Sequence, residues 1–528
     1  MKKYTILTLA LMAMISFNSC NKFLTTQLTN PQQTNTSYYK TPSEAFTALV
    51  GCYNGLDLIW NGGVALPVAA EVFSDNCLGG TGASDGYSYQ MMDEFNKTVS
   101  PSDNSLFGAT WTGYYQAIYR CNTLLGNLNQ VSWGDSTALK TQYKAEASFI
   151  RAFCYFDMVR LWEKVPLLTV PTVANVAQSD PALTYAQIMK DLRFAADSLP
   201  ATTYSNTTSG RVTKWAAESL LARVYMFYSG YYGQSALGSE TSATALAAVE
   251  DVIAHSGHGL VGDFTTLWPA ASIAKGVTYA TEANQEVVFS IKYSSTADYN
   301  GNVTGNEWMV MEGIREESHY PYQYGWGACT VDPKLYHTFA TADSRQFASI
   351  IAISEENILF TLASHNREYT GYFLKKYSPI CDQSGTSIVA NFQIGQYQDY
   401  FAIRYSDVLL MAAELGSPNA VNYYNQVHLR AIPSATAASS VSKTDILNER
   451  QLEFVGEGIR YYDLLRQGVA TAASTIANNT TLSFLNDGGT PPTAAQLQAN
   501  ITATGGFQQI PENQITLSSG VLKQNAGW

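Results

Sequence analysis

Apolar residues recur at helical spacing in one segment after another, joined by short connections marked by proline or glycine. That succession limits the fold more than any other feature. Over residues 43–58, Ala45, Leu49, Cys52 and Leu56 fall near one face, as the period of an amphipathic helix requires. Thr41-Pro42 just before them suits a helix start. The same pattern predicts helices over 111–128, 139–162, 185–199, 212–228 and 244–255, punctuated by Pro166, Pro171, Pro181 and Pro200 and by the Gly/Ser-rich link 230–242. The character then changes. Residues 258–396 are rich in Gly, Tyr and Trp with short β-prone runs such as 286–292, and read as loops with a few strands. Helices return over 402–415, 419–429, 443–454 and 458–465, and the tail from Asn478 reads as coil. Helices of this kind bury their apolar faces by stacking pairwise. The expected fold is mainly α, tetratricopeptide-like helical pairs (41–257 and 397–528) around a loop-rich insertion (258–396) that carries short strands, with 20–528 as one compact unit. No strict tetratricopeptide consensus is visible, so any such repeats are degenerate.

The N-terminus gives an address. Lys2 and Lys3 precede an apolar run over 4–17, which ends in Asn18-Ser19-Cys20 before the polar Asn21 and Lys22. This has the layout of a secretory signal and resembles a bacterial lipobox. The expectation is a signal peptide over 1–19, acylation of Cys20, and a polar tether over 20–40 that carries a soluble body at the membrane; more than one acyl chain makes such anchoring stable. Composition limits the partners. The formal charge is −12 and no basic run is present, so nucleic acid is not an expected partner. Charged residues are only 14% against roughly 25% in an average domain; Asn, Gln, Ser, Thr and Tyr fill the gap. The 34 Tyr and 9 Trp are amphipathic rings suited to partly apolar, partly polar ligands. Cys52, Cys77, Cys121, Cys154, Cys329 and Cys381 are scattered with no C-x-x-C spacing, which gives no zinc or redox motif. Their disulfide state stays open.

Five ordered segments resemble the SusD/RagB family of outer-membrane nutrient-binding lipoproteins. They are AEASFIRAFCYFDMVRLWEKVPL (145–167), KWAAESLLARVYMF (214–227), FAIRYSDVLLMAAE (401–414), NERQLEFVGEGIRYYDLLRQG (448–468), and the ending from Ile510-Pro511 to Gln524-Asn525-Ala526-Gly527-Trp528. Together they span nearly the whole mature chain. The resemblance implies a SusD-like fold built on four tetratricopeptide-like pairs, no catalysis, and capture of oligosaccharide at the outer face of the outer membrane. It also implies delivery to a SusC-type TonB-dependent barrel, which the lipoprotein caps as a hinged lid. A RagB-like variant would capture peptide instead.

The charged residues of the hallmark helices, Glu146, Arg151, Arg160, Glu449, Arg450, Glu453, Arg460 and Asp463, together with Trp162, read as fold maintenance, since charges three or four apart on a helix pair or cap. Ligand contacts are expected from two loop regions. The first holds Asp75 and Asn76, whose oxygens and amide suit sugar hydroxyls, and then Tyr87 and Tyr89 as ring faces; the resemblance places this stretch near the family's binding site. The second holds Trp308 and the cluster Tyr320-Pro321-Tyr322-Gln323-Tyr324-Gly325-Trp326, too dense in aromatics for one buried face. Tyr322, Tyr324 and Trp326 are its candidates, because a pyranose presents an apolar C–H face to a ring. Trp60 and Trp268 are weaker candidates. Gly82-Ala83-Ser84-Asp85-Gly86 matches G-x-S-x-G but lacks the strand-to-helix context of a nucleophile elbow. His255 and His258 lack further ligands for a metal. Glu312 with Glu316 or Glu317 would be a glycosidase pair only if two carboxylates faced one cleft; they read as lying on an exposed helix. No cofactor and no metal site is expected, although an irregular calcium site leaves no sequence signature. Two other classes remain beside glycan capture: a surface glycoside hydrolase and a pure protein-interaction scaffold.

Overall fold

A computed structural model describes residues 35–205, 210–478 and 492–528. The leader, Cys20 and most of the expected tether lie outside those residues. The N-terminal part is a succession of helices: α1 (Pro42–Leu58), α2 (Leu66–Val72), the short α3 (Ser88–Asp93), α4 (Gly108–Asn127), α5 (Thr137–Trp162), α6 (Pro181–Ser198), α7 (Lys214–Tyr232) and α8 (Ser242–His255). Local chemistry sets their starts. Thr41 and Glu44 close a reciprocal capping box on α1 with Pro42 in the first turn, Asp180 caps α6 before Pro181, and Thr213 caps α7. Each long helix packs on the next, α1 on α4, then α5, α6, α7 and α8 in turn, as stacked helical pairs must to cover their apolar faces.

The insertion is less irregular than its composition suggests. Strand β1 (Cys77–Leu78) from the N-terminal part pairs antiparallel with β2 (Thr330–Val331), and β3 (Ile350–Ala352) and β4 (Tyr372–Leu374) extend this into a four-stranded sheet in which β4 lies between β2 and β3. A second sheet joins β5 (Val287–Ile291) to β6 (Tyr400–Arg404). Two expectations are corrected here. Residues 402–404 are strand, and the helix α9 (Tyr405–Glu414) starts only after them. The tail is not all coil: α14 (Ala494–Thr504) and a short helix over Glu512–Leu517 lie in it, the former opened by a Thr493/Gln496 capping box. Between them run α10 (Ala420–Ala431), α11 (Lys443–Glu453), α12 (Arg460–Leu465) and α13 (Val469–Ala477).

One hydrophobic cluster extends from Tyr39 to Trp528 and draws on both helical parts and the insertion. Buried ion pairs fasten the insertion to the helices. Glu453 accepts from Arg404 (2.8 Å), Arg430 (2.6 Å) and Arg345 (3.3 Å), and Lys376 reaches Glu457 at 2.6 Å; the side chains of Glu453, Arg345 and Arg404 are wholly buried. The family-pattern charges therefore serve the fold, but mostly by pairing across elements and not along one helix. Arg151 holds Asp191, Glu146 accepts from Arg211 and Tyr53, and Arg450 bridges Asp407 and Asp463. Cys52, Cys77, Cys121, Cys154, Cys329 and Cys381 are buried free thiols. Among the described residues no helix is long and apolar enough to cross a membrane.

Candidate functional site

Two segments distant in sequence line a cavity of about 450 Å³, and a third is hydrogen-bonded to both of them. The first is the loop after β1. Thr81, Asp85 and Tyr89 line the cavity, and the glycine-rich stretch between them is shaped by one buried guanidinium. Arg367 donates to the Thr81 hydroxyl (3.1 Å) and to the carbonyls of Gly86 (2.9 Å), Ala83 (3.2 Å) and Asp85 (2.9 Å). Its guanidinium carbon lies 3.9 Å from the centre of the Tyr87 ring, a cation–π contact. The residues of the G-x-S-x-G match are thus a loop wrapped around an arginine, with no elbow geometry.

The second segment runs from a short helical turn, Met309–Glu312, through Ile314–Arg315, which pairs in parallel with Tyr324–Gly325. The two backbones approach so closely that a Cβ on Gly325 would sit 2.5 Å from the Cα of Gly313, so only glycine fits. This brings Met311, Arg315, Glu316, Tyr324 and Trp326 onto the same cavity. The Tyr324 ring is 36% exposed and is backed by Phe392 at 4.3 Å between ring centres, which leaves its other side toward the opening. The third segment is 363–367. Ala83 N–H donates to the His365 carbonyl and Arg367 N–H to that of Thr81, while Asn366 donates to the carbonyls of Thr81 and Gly327.

Polar groups form a chain across the floor. Arg315 donates to Glu316 (2.9 Å) and to the Trp326 carbonyl (3.0 Å), and pairs with Asp85 at 3.3 Å. Asp85 also accepts from Gly82 N–H at 2.8 Å. His365 lies 3.0 Å from the other Glu316 oxygen. The His365 contact, reinforced by Arg315, holds the Glu316 carboxyl below the usual carboxylate range. Glu316 adopts a left-handed backbone, φ 60°, uncommon for a side chain with a Cβ. Ring faces beside exposed carboxylates and a guanidinium can stack on an apolar ring face and hydrogen-bond hydroxyls around it.

The residues singled out in the sequence divide sharply. Tyr89, Tyr324 and Trp326 line the cavity, and Tyr87 stands behind the loop on Arg367. The other four are elsewhere. Asp75 is held by both nitrogens of the Arg460 fork at 2.8 and 2.9 Å. Asn76 is fully buried, donating to Glu71 and accepting from Gln451. Trp308 is 1% exposed, packed edge-on against Trp60 and Tyr400 and tilted on Tyr377. Tyr322 is 2% exposed and donates to Glu356 at 2.5 Å. Each satisfies the core or its hydrogen bonds inside the protein, so it has no face to offer a ligand; Trp60 and Trp268 are likewise buried. The imagined acid pair is also corrected. Glu312 is fully buried, burial holds its carboxyl far above the usual range, and Glu71 adds to the shift; it shares no exposed helix with Glu316 or Glu317. Arg315, His365 and Arg367 carry no motif in the sequence, and Asp85 and Glu316 enter it only through the G-x-S-x-G match and the acid pair, not as ligand contacts. Among the described residues no group of three His, Cys, Asp or Glu side chains is arranged to hold a metal.

Known proteins share this fold. Residues 70–226 match the family model described as starch-binding associating with outer membrane, and residues 361–528 match the SusD family model. A SusD-like protein P25 of Formosa agariphila is 24% identical over 489 residues, 82% of this chain and 84% of that one. A SusD-like protein of Bacteroides ovatus is 25% identical over 415 residues, 74% of this chain and 70% of that one. Among solved structures, a laminarin-binding SusD-like protein superposes with a TM-score of 0.72 at 26% identity, covering 93% of this chain and 100% of its own. Surface glycan-binding protein A of Bacteroides thetaiotaomicron, in complex with laminarihexaose, shares the fold with a TM-score of 0.73 at 22% identity, covering 93% and 100%. Helical succession, insertion, and matches at both ends coincide in one conclusion: the chain belongs to the SusD/RagB family.

Proposed function

We propose that this protein is a non-catalytic, cell-surface glycan-binding subunit that captures oligosaccharide in the cavity between Tyr89, Tyr324 and Trp326 and hands it to a SusC-like TonB-dependent outer-membrane barrel. The observation that carries the reading is the convergence of those rings with Asp85, Arg315 and Glu316, from segments more than two hundred positions apart, on one open cavity. Ring faces with flanking hydrogen-bond groups are what a pyranose chain needs. The family's described association with the outer membrane, and a family member that binds laminarin, support the same assignment. Attachment would run through acylated Cys20, with the body facing the outside.

Calorimetric titration of the mature chain against a polysaccharide panel, followed by analysis for released sugars, tests the reading. Saturable binding without products, strongly weakened in Tyr324→Ala, is the expected result. Binding of peptides alone would replace it with the RagB-like reading, and released sugar would make the protein a hydrolase. Cys20→Ala should move the protein out of the membrane fraction. Affinity capture of the wild type from detergent-solubilised outer membranes should bring a TonB-dependent barrel with it, and capture of the body without a barrel would remove the delivery role.

A further inference from the structure

The charges around the cavity are sorted by depth: the acids reach solvent and the guanidiniums do not. The Asp85 and Glu316 side chains are 45% and 42% exposed, against 11% for Arg315. Arg367 is 1% exposed as a residue. The terminal nitrogens of both guanidiniums are engaged, and the Nε of each is buried without a partner, out of reach of solvent. Arg315 serves Asp85, Glu316 and the Trp326 carbonyl, and Arg367 serves the carbonyls and hydroxyl of the 81–86 loop while its face lies on Tyr87. Among the described residues lining the cavity there is no lysine. His365, beside the cavity and exposed, already lies against Glu316.

Recognition of a carboxylate or sulfate needs a donor fork or ammonium that the ligand can reach. Here an approaching anion would meet two exposed carboxylates first, and would have to break the ion pairs of Arg315 or the carbonyl hydrogen bonds of Arg367 to reach a guanidinium. A neutral sugar meets the opposite situation. Each carboxylate oxygen accepts more than one hydrogen bond, so Asp85 and Glu316 can keep Arg315 and still accept from hydroxyls, while Tyr324 covers an apolar ring face. The far field has the same sign, since the whole chain carries −12. From this arrangement, and resting on the glycan reading above, we infer that the ligand is a neutral polysaccharide, and that Asp85 and Glu316 exclude chains bearing uronate or sulfate.

The test compares one polymer with its own charged derivative. Whichever neutral polysaccharide of the panel binds is oxidised at C6 to uronate, and both forms are titrated at pH 7.5, together with the natural polyanions pectin and alginate. The expected result is that oxidation weakens binding by about tenfold or more at low salt, where screening is weakest. Residual binding of the oxidised chain should rise with added salt, as repulsion is screened. Asp85→Asn/Glu316→Gln should narrow the gap between the two polymers. Equal or tighter binding of the oxidised chain, or of pectin or alginate, with affinity falling as salt rises, overturns the inference. If Tyr324→Ala also strongly weakens that anionic binding, the cavity assignment survives and only the neutral specificity falls. If no glycan of either charge binds, the glycan reading falls and takes this inference with it.

Discussion

Trp308 and Tyr324 lie in one aromatic-rich segment, yet removing their rings should harm the protein in opposite ways. Trp308 is 1% exposed and sits among Trp60, Tyr377 and Tyr400 with ring centres 4.9 to 6.3 Å away. Truncation to Ala leaves a cavity that the surrounding rings cannot close, so Trp308→Ala should cost about 3–5 kcal/mol of stability. With an m-value of about 3–5 kcal/mol/M, generous for a chain of this length, the urea midpoint falls by about 1 M. Tyr324 is 36% exposed and touches Phe392 only on one side, so Tyr324→Ala should move the midpoint by much less. Its cost appears in binding. A third of a side chain that can bury roughly 150–250 Å² gives about 60 Å² for a sugar to cover, and ring stacking adds about 1 kcal/mol. At about 25 cal/mol per Å² the area contributes about 1.5 kcal/mol, for a total of about 2.5 kcal/mol. That is a Kd raised roughly 50- to 100-fold. Urea titration followed by tryptophan fluorescence, and calorimetry with the best-binding glycan, read the two effects separately. A Trp308→Ala protein as stable as wild type that no longer binds would refute the reasoning, because it would mean that a ring held in the core acts at the ligand.

Glu453 receives three arginines in a fully buried hub; Glu453→Ala should lower stability by about 3–5 kcal/mol by leaving charge uncompensated, seen as a urea midpoint shift, whereas Lys443→Ala on the exposed side of the same helix should leave it nearly unchanged. Asp407 is the pH probe: burial works against ionisation, but Arg223 and Arg450 win and hold its carboxyl well below the usual range. A depressed carboxylate contributes stability that is present above its unfolded pKa of about 3.9 and is lost as pH falls below it. The stability gap between wild type and Asp407→Asn, measured from urea midpoints across pH 7 to 2.5, should therefore be widest near neutrality and shrink below about pH 4. Arg367→Lys keeps the charge but loses the planar fork on the loop carbonyls, so glycan affinity should fall by at least about tenfold, with faster proteolysis within 81–86 as an independent sign of a loosened loop. A Cβ on Gly82 would sit 2.5 Å from the Arg315 guanidinium carbon. Gly82→Ala should therefore weaken glycan binding through displaced Arg315 while the thermal midpoint moves by no more than a few degrees.

The helices were legible because period and cap chemistry agree in short windows: Thr41 with Glu44, and Asp180 before Pro181, mark their starts within four residues of sequence. Where the deciding partner is remote, the same reading misled. Residues 400–404 form a strand because Val287–Ile291 lies beside them, and an apolar run followed by a helix gives no periodic sign of where one ends and the other begins. The helix over Ala494–Thr504 was missed although Thr493 and Gln496 spell its capping box; its Thr- and Asn-rich surroundings outweighed a signal that was present. For the proposed site, aromatic density pointed to a segment that lines the cavity but did not separate its exposed rings from its buried ones. Tyr322 and Tyr324 share parity, yet one is buried on Glu356 and the other exposed on Phe392, since the strand there is only two residues long and alternation has no run in which to settle. Arg315, Glu316, His365 and Arg367 become neighbours only through pairing of the 81–86, 315–327 and 363–367 segments, which no local pattern records.

The scarcity of charge and the abundance of buried arginine have a common physical basis. A chain with only 14% charged residues nevertheless places Arg345, Arg367 and Arg404 among its largest fully buried side chains, each with several partners. In the insertion the regular elements are two to seven residues long, too short for ladder hydrogen bonds to satisfy every carbonyl. A guanidinium with five donors can satisfy carbonyls from several turns at once, and Arg367 does so for the site loop. Such a loop is irregular and still held in place, as a preformed ligand surface requires. Because so many of the cations are used inside, what the cavity shows to solvent is Tyr, Trp and acceptor oxygens. If the cavity is the glycan site, the construction that fixes the loop also limits what it can recognise, because the arginines that hold it are not offered to a charged glycan.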